Sequence, residues 1–245
     1  MDRSKPCKHL LVTPVYQDAA RLARFGSSLA QALATAGLDL RWVLADDGSG
    51  SEEVRRLEGL VADWRALYAE IDLLPHERHL GKGGAVRAAW DAYPEAEWLS
   101  FCDADGSFRA DDITALLRHA EARGPGTAVL ASRRLANAEQ VRSSLRRKLA
   151  HHAFAELARR LLSLPVGDPQ CGAKAIPGPA YRRLRSRLKE NGFTFDCELI
   201  ATLQEAGTEF EEFPVAWTEK SGSRLSLLRD GPVMLARLLR LALRR

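Results

Sequence analysis

Acidic residues recur where strand-like apolar runs end, and this arrangement restricts the chain more than any other feature of it. HLLVTPV (His9–Val15) reads as a buried strand and leads into Tyr16, LRWVLA (Leu40–Ala45) leads into DDGS, and WLSFC (Trp98–Cys102) leads into DADG. Helical spacing of apolar residues fills the intervals, over Ala19–Ala36, Glu52–Ala69, Gly83–Ala92 and Asp111–Arg123. Ile71–Leu74 and Thr127–Ser132 read as further strands. Strands alternating with full-length helices mean βαβ units and a mostly parallel sheet flanked by helices, an α/β fold of the Rossmann-like kind. In such sheets the ligand sits beyond the carboxyl ends of the strands. TPVY, DDGS and DADG all fall there.

The remaining sequence limits the alternatives. At 245 residues the chain holds one large domain or two small ones. No repeat and no low-complexity linker divides it, so residues 1–245 are expected to form a single domain. Its hydrophobic and charged fractions, 46% and 28%, are those of a soluble globule with a sizeable core. No run approaches the ~20 apolar residues of a membrane span. The basic start MDRSKPCKHLLVTPVY has too short an apolar stretch for a signal peptide, and Pro14 breaks it. These features argue against an integral membrane protein, a secreted precursor and a fibrous repeat, and for a cytoplasmic location. Cys7, Cys102, Cys171 and Cys197 form no CxxC pair and no zinc spacing, as expected of reduced thiols.

Charge divides the chain. Residues 1–130 carry 15 Lys and Arg against 20 Asp and Glu; residues 131–245 carry 21 against 12. The basic half calls for a polyanion, an acidic membrane or a phosphorylated ligand. Nucleic acid is disfavoured, because no aromatic stacking platform or known motif accompanies the charge. Val141–Leu164 reads as a basic amphipathic helix, with Val141, Leu145, Leu149, Ala153, Leu157 and Leu161 spaced by four. After VGDPQCGAK come a helix near Pro179–Lys189, the segment FTFDCELIATLQEAG and a strand over Glu209–Trp217. Leu225–Arg245 closes the chain as a second basic amphipathic segment, with Pro232 near its helix start and Leu235, Leu238, Leu239 and Leu243 at helical spacing. Arg237, Arg240 and Arg244 share one side of it. Too short and too charged to span a bilayer, it can lie in the interface of an anionic membrane; packing on the protein's own core is the alternative.

Several motifs carry chemistry. In DADG, Asp103 and Asp105 stand two apart just past a buried strand and can converge on one hard cation, Mg²⁺ or Mn²⁺, that bridges to substrate phosphates. A cap and turn before the helix at Asp111 is the plainer alternative. In DDGS, Asp46 or Asp47 can accept hydrogen bonds from a nucleobase imide or a ribose, or merely shape the turn. HLGKGGAVRAAW (His79–Trp90) is a glycine-rich turn opening a helix, where backbone amides with Lys82 or Arg87 favour an anion. It has neither P-loop nor GxGxxG spacing. Arg133 and Arg134 follow a strand and can hold a diphosphate. Asp196 and Glu198 stand at a helix start, where either can be a base, an orienting group or a complement to the helix dipole. Cys171 has no histidine near it in the pattern and is not expected to be a nucleophile.

The succession TPVY, DDGS, GKGGAVR, DADG, SRR, DPQCGAK, FDCEL and WTEKSGSR, over nearly the whole chain, resembles the family 2 glycosyltransferases of the GT-A fold. GKGGAVR, DPQCGAK and WTExxGS together are most similar to the polyprenyl- or dolichyl-phosphate β-glucosyltransferases. The resemblance implies an inverting transfer of a hexose, glucose first among them, from a UDP-sugar to a polyprenyl phosphate, with Mg²⁺ or Mn²⁺. Residues 1–133 would bind the nucleotide-sugar and residues 134–245 the acceptor. By position, Pro14, Tyr16, Asp46 and Asp47 would line the uridine site. Asp103, Ala104 and Asp105 would meet the donor, with Asp103 and Asp105 on the metal, and Lys82 and Arg133 would contact phosphates. Asp168, Gln170, Asp196 and Glu198 would surround the sugar and the acceptor phosphate, and Trp217, Ser223 and Arg224 would lie near the acceptor. Gln17, His79 and Arg224 depart from the residues usual in that group. Its members usually carry a membrane-spanning anchor, for which no run here is long enough, so the expectation is a peripheral enzyme on the cytoplasmic face.

The acceptor decides the chemistry. A phosphate is already ionised near neutrality, so the protein need only align donor and acceptor and neutralise the departing diphosphate. A soluble relative acting on a hydroxyl of a sugar or small metabolite would need a carboxylate base, with Asp196 or Glu198 the candidates. A degenerate, non-catalytic binding module is disfavoured by the intact DADG.

Overall fold

The computed structural model describes residues 6–138, 140–142, 145–220 and 227–244. Five strands lie where the apolar runs predict them: β1 (His9–Val15), β2 (Leu40–Asp46), β3 (Ile71–Pro75), β4 (Trp98–Cys102) and β5 (Thr127–Ser132). The helices between them are α1 (Ala19–Thr35), α2 (Ser51–Arg65), α3 (Lys82–Asp91) and α4 (Ala110–Arg123). Two further strands, β7 (Ala173–Pro177) and β8 (Glu209–Pro214), complete a seven-stranded sheet of order β3-β2-β1-β4-β7-β5-β8. Only β7 runs against its neighbours, between β4 and β5. The chain leaves β1 for β2 and β3 on one side and resumes at β4 on the other. The crevice between the ends of β1 and β4 is therefore the topological switch point at which such sheets bind ligands.

Period-two burial sorts the strand residues to two faces. Leu10 and Val12, Val43 and Ala45, and Leu99 and Phe101 point to one core; Leu11 and Val15, Trp42 and Leu44, and Trp98 and Cys102 point to the other. Helices α1, α2 and α4 cover the second face. The first is covered by α3, α5 (Leu145–Leu162), α6 (Gly178–Leu184) and α7 (Phe195–Glu205). Buried strands with helices on both faces give the expected three-layer α/β architecture.

Three expectations are corrected. The basic helix placed from Val141 starts at Leu145, because Gln140–Arg142 form a short strand, β6, that pairs with β9 (Trp217–Thr218). The run Glu209–Trp217 is split between β8 and β9 by Val215 and Ala216, and Ala216 donates its amide to Asp112 Oδ2 at 2.7 Å. The terminal helix α8 (Leu227–Leu243) contains Pro232 rather than starting at it. It also divides its apolar residues: Met234, Leu238 and Leu241 are buried, whereas Leu235, Leu239 and Leu243 are exposed.

Candidate active site

The residues of the TPVY, DDGS and DADG motifs collect at the ends of β1, β2 and β4. Asp46 is fully buried; its Oδ2 accepts the Ser49 amide at 3.3 Å, and its Oδ1 is buried with no hydrogen-bond partner. A buried acceptor of this kind is costly unless something donates to it. Asp47 is committed to the fold. Its Oδ1 accepts the amides of Leu80 and Gly81 at 2.6 and 3.1 Å, and its Oδ2 lies 3.0 Å from His79 Nδ1. Burial nevertheless raises its pKa, against those amides. The His79 ring leans on Tyr16, with centroids 4.2 Å apart. Tyr16 is exposed and Pro14 half-buried, so a partly open aromatic surface stands at the end of β1, whose Val15 pairs with Asp46.

The glycine-rich turn differs from its sequence reading. The amides of Gly83 and Gly84, at the start of α3, donate to the Asn191 carbonyl at 2.7 and 3.2 Å. With those of Leu80 and Gly81 on Asp47, these amides are engaged within the protein and not open to an anion. Gly81 has φ 86°, and a Cβ there would stand 2.5 Å from the Asn191 oxygen, so glycine is what lets the turn pack on this loop. Arg87 is likewise engaged, with the Leu188 carbonyl at 2.7 Å. Of the motif's cationic groups, Lys82 faces the acidic crevice.

Asp103 continues the face of Leu99 and Phe101 and so points towards α3 and α7. Its Oδ1 lies 3.0 Å from Lys82 Nζ, which also reaches Asp196 Oδ2 at 3.3 Å. On the other side Asp196 Oδ1 accepts Lys174 Nζ at 2.6 Å, and Lys174 is fully buried on β7 opposite Phe101. The two ammoniums stand 4.9 and 5.3 Å from the Phe101 ring centre. The charges fix one another. Burial works against ionised Asp196, but Lys174 and Lys82 outweigh it and hold its pKa below the usual carboxylate range. Burial also opposes the charge on Lys82, yet Asp103 and Asp196 raise its pKa. Asp103 is raised, chiefly by burial and further by Asp105, with Lys82 opposing. Gly172 backs this carboxylate so closely that a Cβ would fall 1.9 Å from Asp103 Oδ2. Ala104 is buried between the two acids, and Asp105 Oδ1 accepts only the Ser107 amide, at 2.9 Å, among the hydrogen bonds described.

Glu198 is engaged as fully as Asp196. Both its oxygens accept the Lys189 amide, Oε1 at 3.0 Å and Oε2 at 2.9 Å, and Oε2 also accepts the Glu190 amide at 2.7 Å. It thereby holds the loop whose Asn191 carbonyl caps α3. Arg133 is clamped by Asp168 through Nε, Nη2 and its backbone amide at 2.8, 2.8 and 3.0 Å, and its guanidinium lies over Trp217 at 5.4 Å. Asp168 is held below the usual carboxylate range: burial opposes its ionisation, and Arg133 outweighs that. Gln170 donates to the Phe193 carbonyl at 3.3 Å. Trp217 is brought against the DADG loop by its neighbour, because Thr218 donates its amide to the Ser107 carbonyl at 2.9 Å. Ser223 and Arg224 lie outside the described residues. All four cysteines are buried and free, and burial pushes the Cys102, Cys171 and Cys197 thiols up to about 12, so Cys171 is not a poised nucleophile.

Sequence reasoning did not pick out Lys174, Asn191 or Arg21. Lys174 had a signal, as the one charged residue in the apolar run AKAIP, where a buried ammonium requires a carboxylate. Arg21 lines a cleft of about 670 Å³ that Arg24, Arg109, Lys220 and Asp105 share. Asp18 holds its Nε at 2.7 Å, and its Nη1 is buried with no hydrogen-bond partner.

A doubly wound sheet with acids at its switch point, one pair of them facing the crevice beside a lysine, is an arrangement of the GT-A type. The family model for glycosyl transferase family 2 matches residues 10–183, and the chain belongs to that family. Among curated relatives, glycosyltransferase AglD of Haloferax volcanii is 29% identical over 191 residues, covering 77% of this chain and 29% of the relative. The dolichyl-phosphate beta-glucosyltransferase of Saccharomyces cerevisiae is 26% identical over 204 residues (78% and 61%), and that of Drosophila melanogaster 28% over 229 residues (88% and 68%). The chain thus spans less than two thirds of the first two relatives. The fold is shared with glucosyl-3-phosphoglycerate synthase of Mycobacterium tuberculosis, solved with Mn²⁺, UDP and glucosyl-3-phosphoglycerate: TM-score 0.66, 16% identity, 97% of this chain and 79% of that one. It is also shared with a Pyrobaculum calidifontis mannosyltransferase solved with GDP-Man and Mn²⁺: TM-score 0.60, 15% identity, 98% and 64%.

Proposed function

We propose that this chain is a glycosyltransferase and moves a hexose, glucose in the first instance, from a UDP-sugar to a polyprenyl phosphate, with inversion and with Mg²⁺ or Mn²⁺. The relatives named dolichyl-phosphate beta-glucosyltransferase support the pairing of sugar and acceptor. The observation that carries the reading is the engagement of Asp196 and Glu198. A general base must be free to take a proton. Asp196 has a lysine on each oxygen and a lowered pKa, and Glu198 accepts three amide contacts. An acceptor that brings its own charged oxygen needs no base from either.

The residues fit a divalent cation. Asp103 and Asp105 offer hard oxygen ligands, Asp103 already faces an ammonium, and among the described residues no group of three or more His, Cys, Asp or Glu side chains could enclose a metal alone. A two-carboxylate site completed by diphosphate oxygens and water suits Mg²⁺ or Mn²⁺. When bound, the cation would neutralise charge developing on the departing diphosphate. The chain's own residues do the remaining work. The unpartnered Oδ1 of Asp46 is the acceptor offered to an imide N–H of the base, with Tyr16 and His79 near the same strand ends. Lys82 places a positive charge next to the diphosphate. Asp168 fixes Arg133 so that its charge stays at the end of β5, under Trp217, where an anionic acceptor approaches.

The same reading places the enzyme on a membrane surface. No described helix is long and apolar enough to cross a membrane. On α8, Leu235, Leu239 and Leu243 form an exposed line spaced by four, and Leu157 and Leu161 are exposed on α5, which packs against α8. Arg240 and Arg244 flank it, whereas Arg237 turns inward to Glu190 at 3.6 Å. Leucines at acyl depth with arginines at headgroup level make an interfacial helix.

The test is a donor matrix. The protein is incubated with UDP-glucose, UDP-galactose, UDP-N-acetylglucosamine and GDP-mannose, each with polyprenyl phosphate and with Mg²⁺, Mn²⁺ or EDTA, and lipid-linked sugar is measured. Glucolipid from UDP-glucose, lost in EDTA, is expected; transfer only from GDP-mannose, or undiminished in EDTA, contradicts the reading.

A further inference from the structure

Lys82 occupies an unusual position for a phosphate-contacting lysine, since its ammonium bridges two carboxylates, Asp103 Oδ1 at 3.0 Å and Asp196 Oδ2 at 3.3 Å. The two ends of the bridge differ. Asp196 is the inner end: its side chain is 3% exposed and Lys174 anchors its other oxygen. Asp103 is the outer end, with a side chain 36% exposed, backed by Gly172 on the oxygen that does not face Lys82. The oxygen a cation would need is the one that Lys82 holds.

We propose that Lys82 is a placeholder for the divalent cation, and that its release from Asp103 couples cation binding to nucleotide binding. The inference rests on the reading of Asp103 and Asp105 as the cation ligands. Lys82 and a divalent cation cannot both sit against Asp103 Oδ1 without strong like-charge repulsion. Lys82 therefore withdraws from Asp103 when the cation is bound, keeping Asp196 as its remaining partner. Asp196 already carries Lys174, so the two ammoniums share one carboxylate until a diphosphate supplies further negative charge. The cation alone binds weakly because it must evict Lys82. With nucleotide present the evicted ammonium gains a partner, and each ligand strengthens the other. Lys174 is the fixed element: by pinning Asp196 it gives Lys82 a defined inner position.

This predicts effects of opposite sign at one residue. Mn²⁺ binding is measured by the loss of its free electron-paramagnetic-resonance signal, with and without UDP, on wild type and on Lys82→Met, which keeps the length and removes the charge. In wild type, UDP is expected to tighten Mn²⁺ by roughly tenfold, within the usual range of site–site coupling. In Lys82→Met, Mn²⁺ without UDP should bind at least severalfold more tightly than in wild type, UDP should bind more weakly, and the coupling should shrink. Lys82→Arg, which keeps the charge, should not tighten Mn²⁺; circular dichroism and the melting temperature verify that both variants are folded. Unchanged or weaker Mn²⁺ binding in folded Lys82→Met, while wild type binds Mn²⁺ with UDP in an Asp105-dependent manner, overturns the placeholder role and leaves the cation site standing. Failure of wild type to bind Mn²⁺ even with UDP overturns both.

Discussion

Two carboxylate pairs of the same sequence spacing, Asp103-Ala-Asp105 and Asp196-Cys-Glu198, behave as opposites. The first follows a strand and faces the crevice, with Asp103 partly exposed and Asp105 accepting one backbone amide. The second opens a helix, is almost wholly buried, and is engaged by two lysines and two loop amides. Spacing brings carboxylates together in both cases; their surroundings decide whether they stay available. A pair just beyond a strand end at the switch point meets little following backbone, here the Ser107 amide on Asp105. A pair in the first turn of α7 packs against β7 and the 189–191 loop, which supply cations and amides.

The comparison can be broken most forcefully at Asp196. Asp196→Asn leaves Lys174 buried beside a neutral partner, and loss of one member of a buried ion pair typically costs about 3–5 kcal/mol. Urea unfolding should show a loss of that order. Because the folded pKa of Asp196 lies below the usual range, its stabilisation is complete above that range and disappears as pH falls through and below it. The gap between wild type and variant should therefore hold constant from neutrality to mildly acid pH and narrow only below about pH 4. A gap that closes near neutrality would mean that Asp196 is not the ionised anchor.

Asp105→Ala should do the reverse, lowering turnover by about 10²–10³, the effect of removing one preorganised electrostatic contact to a developing charge, while leaving the melting temperature nearly unchanged. Normal turnover in the folded variant would remove the cation role from DADG. Glu198→Gln keeps the shape but weakens charge-assisted bonds to the Lys189 and Glu190 amides, and should cost about 1–3 kcal/mol of stability. Its effect on rate should track loop position, with a raised KM and an unshifted pH profile; a selective loss of kcat would make Glu198 a participant. The smallest effect belongs to α8. Leu239→Ser with Leu243→Ser alters exposed positions and should change stability by no more than about 0.5 kcal/mol. It should reduce flotation with anionic vesicles at low salt and spare UDP binding; unaltered flotation would take the membrane contact away from this face.

How much of this was legible follows the same division. The first five strands, the four helices between them and the acids at the strand ends carry strong local signals, period-two or helical spacing ended by turn residues. β7 was hidden because Lys174 interrupts its apolar run and Gly172 and Pro177 bracket it, and because no local pattern encodes a reversed strand inserted between β4 and β5. The GKGG turn misled for a related reason: its amides look open until the Asn191 carbonyl, over a hundred residues later, is brought against them. Pairings such as Lys174–Asp196 and Arg133–Asp168 depend on the sheet order and have no signature in either segment alone. On α8 the spacing of leucines was readable, but which line faces the core and which stays open is set by packing on α5.

The claim that joins these observations is that the acceptor brings its own nucleophile, so that no carboxylate of the second pair acts as a base. Initial rates with UDP-glucose, Mn²⁺ and either polyprenyl phosphate or the corresponding polyprenol, followed across pH, test it directly. The account predicts glucolipid from the phosphate alone, with a rate that is level through neutrality and falls only below the acceptor's own second ionisation, near pH ~6. Comparable glucosylation of polyprenol, rising on a single ionisation that Asp196→Asn or Glu198→Gln abolishes, would contradict it.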